Sequence, residues 1–236
     1  MKEIFVQPMA AMFSAARLLL KSRRALAVIL IAYAGLLTAV YLFVSTREAT
    51  IGQLVLTMVV GVIAPALFFV LQAASVSYTN GPLSKSLIRN CVKVIAVTVL
   101  VTVLTVLAVY GLSKVESHPT LTTAFRYLLV AVFGPLLAIQ LWVAVSAESL
   151  RRLLKNLRTV AVRTFAPQSV FVYACGFLIF AVAPYFLITK TISSERAWLE
   201  FSFLMLRLSA SALLVLLGWV TTVGALSILS HNRNEE

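Results

Sequence analysis

ALAVILIAYAGLLTAVYLFVS, residues Ala25–Ser45, is a run of twenty-one residues without a single charge. At about 1.5 Å of helical rise per residue it can cross a hydrocarbon layer of roughly 30 Å. Inside lipid the backbone has no water to bond, so a spanning segment is either a helix or a strand of a closed barrel. Barrel strands alternate apolar and polar residues over about ten positions, whereas this run is apolar almost throughout. It is also too long for the core of a cleaved secretory leader, and the expectation is an uncleaved first membrane helix.

Five further runs share its character: Ile51–Ser75, Val94–Leu112, Tyr127–Ser146, Ser169–Ile188 and Arg207–Leu229. Composition agrees, with 61% hydrophobic residues, 12% charged residues and a mean hydropathy of +1.00 in 236 residues. Such a chain cannot be dissolved as a water-soluble globule. The expected fold is therefore an all-α integral membrane protein with six transmembrane helices in three hairpins. Amphipathic cytoplasmic helices are expected to flank them. Residues 1–24 form a basic amino-terminal segment, 25–229 the membrane domain and 230–236 a short tail, which leaves no room for a soluble domain.

The third run is rich in β-branched residues that would favour a strand in water. In lipid the requirement for internal hydrogen bonds overrides that propensity. Thr98, Thr102 and Thr105 then share one helical face, which is expected to meet other helices.

Basic flanks orient the chain, because positively charged loops stay in the cytoplasm. Of the twenty lysines and arginines, fourteen fall on the side of the termini, from Lys2 through Arg17–Arg24, Lys85–Lys93 and Arg151–Arg163 to Arg233. Arg47, Lys114, Arg126, Lys190, Arg196 and Arg207 fall on the other side. With the eight glutamates divided evenly, the two faces carry +10 and +2. This predicts a multi-pass protein of the cell inner (cytoplasmic) membrane with both termini cytoplasmic.

Two hairpins carry a similar phrase in their second helix: Val62-Ile63-Ala64-Pro65-Ala66-Leu67 followed by Gln72, and Val132-Phe133-Gly134-Pro135-Leu136-Leu137 followed by Gln140. A duplicated scaffold would produce such symmetry, and so would chance in a restricted apolar vocabulary. Pro65, Pro135 and Pro184 lie within spans, where each removes a backbone donor and can bend the helix. Gln72 and Gln140 are read first as hydrogen-bonding glue between helices, and second as substrate contacts.

Two segments outside the spans are amphipathic. In Pro8–Lys21 an apolar stripe of Met12, Phe13, Ala16, Leu19 and Leu20 accompanies Arg17, Lys21 and Arg24, with Pro8 placed in the first turn. In Glu148–Arg163 the stripe is Leu150, Leu153, Leu154, Leu157 and Val160, opposite Arg151, Arg152, Lys155 and Arg158. Both suit helices lying in the cytoplasmic interface, where each cation contributes about 1 kcal/mol toward an anionic leaflet. Their partners are thus the bilayer and its anionic headgroups, or a cytoplasmic protein or membrane complex docked on the same cations.

The basic balance does not point to nucleic acid, because the cations follow the insertion rule and accompany no nucleic-acid-binding motif. The chain contains no aspartate, and its glutamates all fall outside the runs or at their edges. An intramembrane carboxylate relay and a paired-carboxylate site are thereby excluded. His118 and His231 fall on opposite faces and cannot share a metal. Cys91 and Cys175 lack ligand spacing and read as small apolar residues. No phosphate-cradling loop occurs, and Asn80-Gly81-Pro82 is a turn. No catalytic residue, cofactor or metal is expected.

Arg207 is the remaining intramembrane suspect. Counted from Leu208 to Leu229, the last run still spans about 33 Å, so Arg207 can sit at the outer interface and snorkel. Contact with an anion or a headgroup is the second reading. Trp198, Phe201 and Phe203 before it suit an interfacial belt.

In arrangement the chain resembles the six-helix permease subunits of type-2 ATP-binding-cassette exporters. The resemblance consists of an amphipathic amino-terminal helix, six spans and a cytoplasmic loop between helices 2 and 3, and it assigns no residue a role. Two functions follow from the sequence: a non-catalytic membrane subunit or scaffold that docks partners or anionic lipid at its basic face, or a permease-like subunit for an apolar or lipid-like substrate driven by a separate nucleotide-hydrolysing partner.

Overall fold

The computed structural model describes residues 2–47, 50–79, 87–114, 119–147, 157–190 and 196–232. Among these, every regular element is helical: α1 (Lys2–Lys21), α2 (Arg23–Ser45), α3 (Ile51–Ser77), α4 (Leu87–Ser113), α5 (Pro119–Leu128), α6 (Gly134–Ala147), α7 (Leu157–Thr164), α8 (Pro167–Phe177), α9 (Ala183–Thr189) and α10 (Ala197–Asn232). A π-helical turn at Leu129–Phe133 joins α5 to α6, and another at Leu178–Val182 joins α8 to α9. Six continuous stretches are long and apolar enough to cross a membrane: Arg23–Ser45, Ile51–Ser77, Leu87–Ser113, Thr120–Ser146, Pro167–Thr189 and Ala197–Ser230. The protein is an all-α polytopic membrane protein.

Local chemistry explains several helix ends. Thr50 Oγ1 accepts from the Gln53 amide at 3.3 Å while Gln53 Oε1 accepts from the Thr50 amide at 3.1 Å, a reciprocal capping box at the start of α3. Pro167 opens α8, where its missing N–H would have had no helical partner. Between α1 and α2 only Ser22 leaves the helix, so the amino-terminal segment turns straight into the first span.

The chain divides into two compact units, Leu18–Thr164 and Met1–Arg17 with Phe165–Glu236. In the first, α2 packs on α3, and α4 packs on both α3 and α6. Gly35 lets α2 approach α3 closely, since a Cβ there would meet Leu67 Cδ1 at 3.1 Å. In the second, α8, the π turn and α9 all pack on α10. Consecutive spans thus pair as the three expected hairpins. Large apolar side chains face outward, among them Ile31 at 72%, Val62 at 71% and Leu206 at 65% exposure, as only an apolar solvent accommodates on this scale.

Several expected positions shift. Helix α10 begins at Ala197 rather than near Arg207, because Trp198, Leu199, Phe201 and Phe203–Leu206 continue the run without a breaker and Glu200 suits the positive first turn. Helix α4 starts at Leu87, ahead of its apolar stretch, and the fourth span starts at Thr120, ahead of Tyr127. Pro8 lies inside α1, six residues past its first residue, and not in the first turn. The stripe on α1 also differs: Pro8, Ala11, Ala15 and Leu19 are buried, whereas Phe13 and Leu20 are exposed. Small side chains let a helix lie close to its neighbours, and the bulky ones are left outside.

Candidate functional site

The larger unit concentrates its polar side chains where α3, α4 and α6 meet. Asn90 Nδ2 on α4 donates to Ser77 Oγ on α3 at 2.8 Å, and Ser77 Oγ donates onward to the Ala73 carbonyl at 2.6 Å. Trp142 Nε1 on α6 donates to Thr98 Oγ1 on α4 at 3.0 Å, while Thr98 gives its own proton to the Val94 carbonyl at 2.7 Å. Lys93 Nζ donates to the Val145 carbonyl at 2.7 Å. That carbonyl belongs to the last turn of α6, where helical carbonyls lack amide partners and concentrate negative potential. An ammonium on a four-carbon stem is matched to such an acceptor.

Gln72 and Gln140 sit in this region at 2% and 4% exposure. Of the three threonines expected on one packed face of α4, Thr98 bonds Trp142, and Thr105 Oγ1 is 3.5 Å from a Cβ built on Gly134. Thr102 departs from them and is exposed.

The three prolines are not equivalent. Pro65 sits exposed in a continuous α-helix. Before Pro135 and Pro184 the helix widens into a π turn, with the Gly134 amide reaching back five residues to the Leu129 carbonyl and the Ala183 amide to the Leu178 carbonyl. A proline ring crowds the carbonyl four residues earlier, and a π turn relieves that contact. The matching phrases are thus Leu129–Pro135 (LVAVFGP) and Leu178–Pro184 (LIFAVAP), whereas Val59–Pro65 (VVGVIAP) keeps the α form.

In the smaller unit the third hairpin closes on glycines. A Cβ on Gly176 would collide with Thr222 Oγ1, and one on Gly218 would lie 2.9 Å from Ile179 Cγ2 and 3.0 Å from the Phe180 amide. Gly218 and Thr222 are four residues apart, a small-xxx-small spacing that brings two backbones together. Thr222 Oγ1 donates to the Gly218 carbonyl at 2.6 Å, so its hydroxyl is satisfied within α10. The amino-terminal end of α1 belongs to the same unit. Gln168 Nε2 on α8 donates to Gln7 Oε1 at 2.8 Å, and the Phe5 and Phe171 rings meet edge to face at 5.2 Å.

Among the sequence-selected cations, those of the amino-terminal segment take no part in these contacts. Arg17, Lys21 and Arg24 are exposed, beside exposed Phe13 and Leu20. Arg151, Arg152 and Lys155 lie outside the described residues, as does His118. Arg158 falls on α7, which carries the described end of the expected linker helix.

Two arginines that the charge bias assigns to the less basic flanks behave differently again. Arg126 Nη2 donates to the Leu112 carbonyl at 3.4 Å, near the end of α4, while its buried Nε has no partner. Arg207 is half-buried, and its Nε and Nη1 are enclosed without any hydrogen-bond partner. One turn further along the same face of α10, Ser211 is 2% exposed and its Oγ is likewise unpartnered.

Comparison with protein-family models, with curated proteins and with solved structures returned no match. The resemblance to exporter permease subunits therefore remains one of arrangement. Sequence reasoning missed Gly176, Gly218 and Thr222, although the small-xxx-small spacing was there to be read. It also missed Lys93, because a backbone carbonyl acceptor leaves no trace in the sequence.

Proposed function

We propose that this chain is a non-catalytic subunit or scaffold of a bacterial cytoplasmic membrane, with both termini cytoplasmic. Its basic face docks anionic headgroups or a partner protein. The observation that carries this reading is the fixed amino-terminal helix, tied to α8 by Gln7–Gln168 and Phe5–Phe171 while Arg17 and Lys21 stay exposed beside Phe13 and Leu20. Cations next to bulky apolar groups on one helix suit a leaflet boundary, with the rings below the headgroups and the charges among them.

An environment-sensitive probe on Phe13→Cys, in a background with Cys91 and Cys175 replaced, tests the reading in proteoliposomes. Its emission shifts to the blue as phosphatidylglycerol replaces phosphatidylcholine, and the Arg17→Gln/Lys21→Gln/Arg24→Gln variant loses that dependence. Emission that ignores lipid charge would sink the lipid-docking form. A reporter fused at residue 236 that works only outside the cytoplasm would reverse the topology.

The second reading is a permease-like subunit for an apolar or lipid-like substrate, driven by a separate nucleotide-hydrolysing partner. The π turns before Pro135 and Pro184 favour it, since interrupted membrane helices free backbone carbonyls. Affinity isolation in mild detergent decides between them: a copurifying nucleotide-hydrolysing protein supports the permease reading, and bilayer crossing by a fluorescent lipid in vesicles containing the chain ends the scaffold reading.

A further inference from the structure

Helix α10 is too long for its span. Its thirty-six residues extend about 54 Å, against a hydrocarbon core of roughly 30 Å. Counting back from Leu229, where the apolar run ends, Arg207 lies about 33 Å away along the helix axis. That is the depth of the far headgroups. Beyond it, Trp198, Phe201 and Leu206 remain exposed, as suits an interfacial belt.

At this depth the helix holds a half-buried guanidinium with two enclosed, unpartnered nitrogens, and a buried serine hydroxyl one turn away without a partner. Among the described residues, the other buried side-chain atoms without a partner belong to Arg126, Ser146 and Gln168. Arg207 and Ser211 alone among these share one helix, four residues apart on the same face. Enclosed N–H and O–H donors without an acceptor are costly, and an anion seated against them removes that cost. A guanidinium supplies five N–H donors in a planar fork, the geometry that a phosphate accepts, and a serine hydroxyl adds a sixth.

We infer that Arg207 and Ser211 form a binding site for one phosphate group, at headgroup depth on the face opposite the termini. The group is carried either by a phospholipid headgroup or by a soluble phosphate. The site is separate from the basic face, on other residues and at the other end of the spans.

Native mass spectrometry of the whole chain in a phosphate-free maltoside detergent tests it, with phosphatidylglycerol, a neutral glycosyl-diacylglycerol or inorganic phosphate added. Wild type retains one phosphatidylglycerol and no glycolipid. Arg207→Gln weakens that retention about tenfold or more, as expected for loss of a charge-assisted bond, and Ser211→Ala about threefold. Arg207→Lys, which keeps the charge without the fork, falls between wild type and Arg207→Gln. The Arg17→Gln/Lys21→Gln/Arg24→Gln variant retains this lipid unchanged, which separates the site from basic-face docking. Displacement of the lipid by inorganic phosphate assigns a soluble source, and resistance to displacement assigns the headgroup; either supports the site. If Arg207→Gln retains phosphatidylglycerol as wild type does, the site is overturned. Should that variant misfold, unchanged retention in both Arg207→Lys and Ser211→Ala overturns it equally.

Discussion

Lys93 and Arg207 are both cations inside membrane helices, and their surroundings are opposite. Lys93 lies in the second turn of α4 and donates a hydrogen bond to the Val145 carbonyl in the last turn of α6. Arg207 lies ten residues past the first residue of α10, with two guanidinium nitrogens enclosed and unpartnered. The difference teaches what a cation on a membrane helix is for. One completed by the protein joins helices, whereas one left incomplete is held ready for something the chain does not itself supply.

The largest effect is expected where the comparison can be broken by moving α10 itself. Gly176→Val forces a branched side chain into Thr222 and costs about 3 kcal/mol or more in unfolding from detergent, because the obstacle is a packed neighbouring helix. Adding Thr222→Ala restores part of the loss. Lys93→Met comes next, at about 2 kcal/mol, since it strands the Val145 carbonyl and removes a charged donor. Trp142→Phe, which leaves the ring but deletes the bond to Thr98, is expected to cost about 1 kcal/mol in the same assay. An equal cost for Lys93→Met and Trp142→Phe would show that the charge on Lys93 adds nothing.

What could be read from the sequence follows the same division. Six spans were legible because only length and apolarity decide whether a segment crosses lipid, and the three hairpins followed from their order. Helix ends were less legible: α4 and α10 run past their apolar runs, since a helix is propagated by backbone bonds and stops at a breaker. The packed side of α1 was misread because the bulky residues drew the stripe, whereas Ala11 and Ala15 do the packing. The phrases at Pro65 and Pro135 looked alike, yet the π turns form before Pro135 and Pro184, whose phrase was not among those matched. Arg207 was visible from its charge alone. That two of its nitrogens are enclosed without a partner among the described residues was not, because that depends on every side chain around it.

The most direct measurement compares Lys93→Met with Arg207→Met by unfolding in phosphate-free, delipidated maltoside detergent. Removing a paired cation and removing an unpaired one should have opposite signs: Lys93→Met is destabilising, and Arg207→Met is neutral or stabilising, because it deletes an enclosed charge that nothing compensates. If Arg207→Met loses as much stability as Lys93→Met, the guanidinium has a partner within the protein, and the distinction between the two cations is contradicted.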